Sequence, residues 1–169
     1  MRLDVTQSRE LRAVIFALRG IDKTLQKQVR VHTKEIAGPE WRKALAERAD
    51  TRLEHRVIHD TAVVGVTNQN VRVQSAMKGR PLSGGLNPKV HFYAVEFGAK
   101  PKKTTYYRKS RKGGTHKVTR TVGGFPLKPR RKGGYVFYPA AKEMIPRIGS
   151  IWAQTTVRTL ALALEGKQE

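Results

Sequence analysis

Apolar residues in the first part of the chain recur at steps of three and four positions. They are Leu11, Val14, Ile15, Leu18, Ile21, Leu25, Val29 and Ile36. This spacing predicts an amphipathic helix from Ser8 to about Ile36, with Ser8 or Thr6 as its N-cap and Gly38-Pro39 as its end. The opposite face carries the cations Arg19, Lys23, Lys27, Arg30 and Lys34. They predict a solvated face, or else a docking face for an acidic partner.

A second helix is predicted to follow the first. Pro39 fits the first turn of a helix, because its missing N–H is not needed there. This helix runs to about Leu53, with Trp41, Leu45 and Ala49 facing inward.

The pattern then changes to β-branched residues. RVIHDTAVVGV (Arg56–Val66) and VRVQSA (Val71–Ala76) flank the polar segment TNQN (67–70), which predicts two short strands joined as a hairpin. Val71 and Val73 alternate with polar residues, so one face of this hairpin is expected to meet solvent. Two later aromatic segments are β-prone and are predicted to join the same sheet: Val90–Ala99 and Tyr135–Ala140.

The last predicted element is a helix from about Ala140 to Leu164, which Pro146 either kinks or starts. One stripe of this helix comprises Ile148, Ile151, Trp152, Thr155, Thr159 and Leu162. A second comprises Ala153, Val157, Leu160 and Leu164. A helix that is apolar on two sides needs two partners. One is the core of the chain, and the second stripe predicts an interface with a neighbouring subunit through Val157, Leu160 and Leu164.

Charge changes this picture between the two aromatic segments. From Lys100 to Lys132 there are thirteen Lys and Arg and no Asp or Glu, in a chain whose formal net charge is +21. THKVTRTV (Thr115–Val122) is strand-like, so Lys100–Gly134 is predicted to form an extended basic β-arm. Its scarce apolar surface cannot offset the entropy of ordering, and we expect it to be mobile in the isolated protein. The predicted contact residues are Lys102, Lys103, Arg108, Lys109, Arg111, Lys112, Lys117, Arg120, Arg130, Arg131 and Lys132.

Together these elements predict an α+β fold in one domain, residues 1–169: N-terminal amphipathic helices, a small antiparallel sheet with a basic arm, and a long C-terminal helix. The length and the 38% hydrophobic content suit a globular body. The chain contains no cysteine, which suits synthesis in a reducing cytoplasm. Neither a signal peptide nor an apolar run of membrane-spanning length is recognised, so no membrane association is expected.

The search for catalytic and metal-binding groups predicts neither an enzyme nor a cofactor, metal or small-molecule substrate. His55 and His59 are four residues apart but lie in a β-like segment without a third ligand. The helical carboxylates are expected to form surface ion pairs: Glu40, Glu47, Asp50, Glu54 and Glu143. Glu96 is the only acid between Asp60 and Glu143, and a structural salt bridge is preferred for it over catalysis. Phosphate-binding glycine motifs are absent from the sequence.

The basic arm leaves three interpretations open. Its cations would neutralise phosphates of a nucleic acid. Tyr106, Tyr107 and Phe125 would stack on the bases of a single strand. Alternatively, the arm would order on an acidic protein surface.

Two segments carry a resemblance to a known family. HFYAVEFGAK (His91–Lys100) and GYVFYPAAKEMIPRIGSIWAQTTVR (Gly134–Arg158) resemble the head–tail joining, or tail-completion, proteins of long-tailed phages. In that family a Y-x-x-x-VEFG segment precedes an aromatic-PA segment and a closing helix. The chain looks like the branch carried by phages and prophages of actinobacteria, and it is similar in kind to the tail-completion protein of phage lambda. The long basic insertion departs from relatives that join the two motifs by a short loop.

The resemblance implies a structural part of the virion neck, made in the host cytoplasm. It implies a ring, often of six copies, between the connector or stopper on the head side and the tail tube. The protein would be either the completion protein or the terminator that caps the tube. The arm would contact an acidic neighbouring ring, which we prefer, or the packaged DNA end. The alternative function is a cytoplasmic basic RNA- or DNA-binding protein of ribosomal-protein character.

Overall fold

The computed structural model describes residues 2–5, 9–77, 79–83, 85–122 and 127–165. Over these residues the α+β class is confirmed, with helices, two small antiparallel sheets and a long C-terminal helix. Thr6 and Ser8, the proposed helix caps, and Phe125, the proposed stacking residue, lie outside the described residues.

The predicted single N-terminal helix is two helices, α1 (Arg9–Arg19) and α2 (Lys23–Ala46). Asp22 starts α2, because its carboxylate accepts a hydrogen bond from the Thr24 N–H at 2.8 Å. The Gln26 side chain donates to the carbonyls of Leu18 and Ile21 at 2.8 and 3.0 Å, which satisfies groups at the end of α1. The apolar residues keep their helical spacing across the break between α1 and α2, so the sequence pattern does not indicate this break.

Helix α2 continues through Gly38-Pro39, where the sequence predicted an end. An interior proline costs a helix about 3 kcal/mol. The helix nevertheless buries one stripe at steps of four on both sides of the proline: Val29, Thr33, Ala37, Trp41 and Leu45. Burial of this stripe outweighs the cost of the proline. Trp41, Leu45 and Ala49 are buried as predicted, whereas Ile36 is 51% exposed.

The segment from Arg56 was predicted to be a strand from its start, and this was wrong. Helix α3 (Arg52–Glu54) continues into a π-helical turn, His55–His59. Thr51 and Glu54 form a capping box that starts this helical stretch. Glu54 is thus a buried cap, and its ion pair with Lys128 involves a buried carboxylate, not a surface carboxylate as expected.

One antiparallel sheet has three strands, β1 (Arg2–Val5), β2 (Val63–Val66) and β3 (Val71–Gln74). Their order in the sheet is β1-β3-β2. The predicted turn joins β2 to β3, and the Thr67 N–H donates to the Asn70 carbonyl at 2.8 Å. Val71 and Val73 on the central strand are fully buried, as the alternating pattern indicated.

Neither aromatic segment joins the sheet, which corrects two sequence predictions. The first forms helix α4 (Pro88–Phe97), and the second leads into helix α5 (Phe137–Leu164). Asn87 caps α4 by accepting from the Lys89 N–H at 3.0 Å, and Pro88 occupies the first turn. These capping residues determine the local structure against the β propensity of the aromatic residues.

Helix α5 contains Pro146 in its interior and packs mainly along α2. The stripe predicted to face the core is buried at Ile148, Trp152, Thr155 and Thr159. Buried threonines donate to carbonyls one turn earlier, as Thr156 does to Trp152 at 2.8 Å. The Trp41 and Phe137 rings meet edge to face 5.2 Å apart, where α2 reaches the start of α5.

Candidate interaction surfaces

The basic arm contains an antiparallel hairpin of strands β4 (Lys102–Lys109) and β5 (Thr115–Val122). Lys102 pairs with Val122, and Lys109 pairs with Thr115. All side chains of β4 are exposed, and along 115–121 only Val118 is partly covered. The predicted extended β-arm is confirmed in these residues, and both of its faces are open to solvent.

Register divides the hairpin into two faces, because directly paired residues of an antiparallel ladder project to the same side. The first face carries Lys102, Thr104, Tyr106, Arg108, His116, Val118 and Arg120. The second face carries Lys103, Thr105, Tyr107, Lys109, Thr115, Lys117, Thr119 and Thr121. Each face has three Lys or Arg and one tyrosine, and Arg111 and Lys112 lie at the tip. The charge of the hairpin is therefore two-sided.

The C-terminal part of the predicted arm packs on the body of the protein. The Ala99 N–H donates to the Lys128 carbonyl at 3.0 Å, and the Arg131 N–H donates to the Phe97 carbonyl at 2.8 Å. Arg130, Arg131 and Lys132 have exposed side chains. The Arg131 guanidinium lies 5.4 Å from the centre of the Tyr135 ring. The arm is thus a projecting hairpin, residues 102–122, on an anchored base, residues 127–134.

Lys128 anchors this base through two carboxylates. Its ammonium lies 2.9 Å from Asp50 and 2.7 Å from Glu54. Burial lowers the pKa of Lys128, but the hydrogen bonds to Glu54 and Asp50 outweigh burial and raise the pKa overall. The same hydrogen bond holds the pKa of the exposed Asp50 below its usual value. This cation of the basic segment is consequently already paired.

Glu96 joins the segments His91–Lys100 and Gly134–Arg158. It is fully buried on α4 and accepts backbone hydrogen bonds from Val136, Phe137 and Tyr138, at 3.2, 2.8 and 3.0 Å. These N–H groups belong to the start of α5, so Glu96 caps that helix from a different element. The predicted salt bridge of Glu96 is wrong, because its partners among the described residues are backbone N–H groups, not a cation.

Two glycines permit the close approach of Glu96 to the start of α5, an arrangement that we call the Glu96 clamp. Gly98 and Gly134 have φ of 70° and 71°, a region that favours glycine. A Cβ at Gly98 would overlap the Pro129 carbonyl, and one at Gly134 would overlap the Glu96 carboxylate. Burial raises the pKa of Glu96 above its usual value, and the N–H groups of Tyr138, Phe137 and Val136 oppose this rise. The glycines and the acid form one close-packed unit.

The second stripe of α5 is partly exposed to solvent. Val157 is 65% exposed and Leu164 is 89% exposed, whereas Leu160 is half-buried. On the opposite flank of α5 a groove runs between α2 and α5, with Ile36, Ile151 and Leu162 in its lining. Helix α5 therefore has a partly exposed apolar stripe on one side and a groove on the other.

The described residues hold no cluster of three or more His, Cys, Asp or Glu placed to bind a metal. The rings of His55 and His59 are 5.4 Å apart on the π-helical turn, and Asp60 pairs with His59 at 2.9 Å. Surface ion pairs join Glu143 to Arg48 and Glu40 to Arg147. Within the described part of the chain, none of the helices is long and apolar enough to cross a membrane.

Comparison of the chain with protein-family models, with curated proteins and with solved structures finds no match.

The hairpin should be the first segment that trypsin cuts. A two-stranded hairpin without a covering layer is only marginally stable in water. Brief digestion should therefore cleave first within 102–120 and leave two resistant fragments. Lys27 and Lys34 provide an internal control, because they are equally exposed but lie in helix α2. First cuts at these helical lysines would contradict the expectation, and mass spectrometry of the fragments distinguishes the two results.

Proposed function

We propose that this protein is a structural component of the neck of a long-tailed phage, where a ring of its copies joins the DNA-filled head to the tail tube. Its neighbours would be the connector or stopper on the head side and the tail-tube protein on the other side. The ring would contain about six copies, as the resemblance implies. The protein would act in the virion by holding parts together, without catalysis.

The observation that carries this proposal is the clamp formed by Glu96. The two motifs that resemble the phage family, His91–Lys100 and Gly134–Arg158, are separated by residues 101–133 of the basic insertion. The Glu96 carboxylate of the first motif caps the helix of the second motif. The parts that resemble the family thus form one structural unit, from which the departing insertion projects.

The surfaces of α5 suit a ring. A ring closes when every copy offers the same pair of unlike faces to its neighbours. The exposed stripe of Val157, Leu160 and Leu164 would be one face. The groove between α2 and α5, with the half-exposed Ile36 at its edge, would be the other.

The proposal is tested by counting copies in the virion. Particles purified from cells that carry the gene should contain this chain, and quantitative mass spectrometry should give about six copies per particle. The connector protein of the same particles serves as the internal standard. Absence of the chain from washed, infectious particles would contradict a neck role.

The alternative, a basic nucleic-acid-binding protein of the cytoplasm, is favoured by the exposed hairpin. It assigns no role to the exposed stripe of α5. The neighbouring genes separate the two functions: genes for a portal, a capsid protein and a tail tube are expected for the neck protein, and not for the alternative.

A further inference from the structure

We propose that the β4–β5 hairpin inserts into the major groove of double-stranded DNA and binds the phosphates on both sides of the groove without reading sequence. Ring formation does not require binding of DNA by the hairpin, so this proposal is independent of the neck role. It can therefore fail while the neck role stands, and the neck role can fail while it stands.

The dimensions of the hairpin suit this groove. The major groove of B-form DNA is about 12 Å wide and about 8.5 Å deep, and it admits a two-stranded β-ribbon. Two strands lie about 4.8 Å apart, and eight residues extend about 27 Å at about 3.4 Å each. The hairpin has eight residues in each strand and makes a tight return at Ser110–Gly114, where the Ser110 N–H donates to the Gly114 carbonyl.

The distribution of charge favours a groove over a flat surface. A ribbon that lies on an acidic protein would present its cations on one face and apolar groups or neutral groups on the other. Here three cations project from each face: Lys102, Arg108 and Arg120 on the first, and Lys103, Lys109 and Lys117 on the second. A groove with a phosphate backbone along each wall is the partner that supplies negative charge on both sides. This geometry reverses the preference for an acidic neighbour that the sequence alone suggested.

The remaining side chains suit binding without sequence preference. Residues 102–122 include no Asn, Gln, Asp or Glu, the side chains that read adenine and cytosine edges. Threonine hydroxyls along the second face are suited to donate to phosphate oxygens. Thr105 and Thr119 already face each other across the strands with their oxygens 3.1 Å apart. The hairpin therefore offers contacts to the DNA backbone on both faces. Its side chains that could read bases are Arg, Lys, Ser and Thr, which the proposal assigns to phosphates.

The test is a salt titration with a duplex of about 20 base pairs, followed by fluorescence anisotropy of labelled DNA. Each phosphate contact contributes about −0.9 to the slope of log K against log salt. One variant replaces the first-face cations Lys102, Arg108 and Arg120 with Gln, and a second replaces Lys103, Lys109 and Lys117. A matched control replaces Lys27, Lys34 and Lys43, three exposed lysines of α2.

We expect both hairpin variants to reduce the slope by about 2 to 3 and to weaken binding about tenfold or more, while the control keeps the slope of the original chain. An RNA duplex of the same sequence should bind about tenfold less tightly, because its major groove is deep and narrow. Circular dichroism of each variant confirms that the fold is kept.

Three results would overturn the proposal. Loss of binding in only one face variant would indicate a ribbon that lies on a surface. Equal affinity for RNA and DNA duplexes would exclude insertion into the B-form groove. If neither hairpin variant weakens DNA binding, the cations of the hairpin serve another partner, such as an acidic protein surface.

Discussion

Replacing Glu96 with alanine should destabilise the folded protein by about 3 to 5 kcal/mol, the largest effect that we expect from one substitution. The change removes the acceptor of three backbone N–H groups at the buried start of α5. Each buried donor left without a partner costs about 1 to 3 kcal/mol, and water that enters the space recovers part of the sum. Urea unfolding followed by circular dichroism measures this free energy.

Two further variants make the Glu96 experiment specific. Glu96→Gln keeps one acceptor oxygen but turns an NH₂ group toward an N–H donor. Its loss of folding stability should therefore lie between zero and the loss caused by Glu96→Ala. Glu47→Ala is the matched control, since Glu47 is an exposed acid just beyond α2, and it should change stability by less than about 0.5 kcal/mol. A Glu96→Ala chain as stable as the Glu47→Ala chain would show that the clamp does not hold the two motifs together.

The second large effect concerns assembly. The proposed ring predicts that Val157→Asp combined with Leu164→Asp leaves a folded monomer that does not assemble. Both side chains are mostly exposed in the single chain, so their replacement leaves the core intact. Burial of a valine or leucine at an interface contributes about 1.5 to 3 kcal/mol each. Loss of both should weaken the contact between copies by two to four powers of ten.

Sedimentation of the purified protein, alone and mixed with tail tubes, measures that contact. Phe16→Asp combined with Val90→Asp is the matched control, because these two apolar side chains are exposed to a similar degree on other helices. Rings that persist in the α5 variant and dissociate in the control would move the interface away from α5. Unfolding of the α5 variant would show that the stripe belongs to the core.

The sequence-based predictions of structure are most accurate where one regular pattern runs through a whole element. The buried face of α5 and the inward residues Trp41 and Leu45 were recovered because helical spacing and burial coincide there. The hairpin of β4 and β5 was also expected, since Val118 and Val122 stand among threonines through 115–122. In the two helices local pattern and tertiary packing agree, whereas the exposed hairpin follows its local pattern alone.

Capping residues explain where the predictions failed. Asn87-Pro88 and Thr51–Glu54 start helices in segments that aromatic and β-branched residues made strand-like. An Asn-Pro pair and a T-x-x-E capping box are recognisable in a sequence, and here they outweigh the β propensity of the residues that follow. The continuous helix through Pro39 could not be recognised in this way, because its stability comes from packing against α5 and the sheet.

The sequence indicated that Glu96 is unusual but did not predict its partners. Its isolation among cations and aromatic residues marked it as unusual, but a lone acid among many cations indicates a salt bridge. Its actual partners are backbone N–H groups some forty residues away, from Val136 to Tyr138. Backbone groups have no signature in a sequence, so this contact became evident only from the fold.

The proposed neck role is tested by electron microscopy of particles made with and without this gene. In cells that carry the gene intact, heads and tails should be joined. When the gene is disrupted, filled heads and finished tails should accumulate side by side without joining, and the chain supplied from a plasmid should restore joined particles. Joined, infectious particles in the absence of the gene would contradict the account.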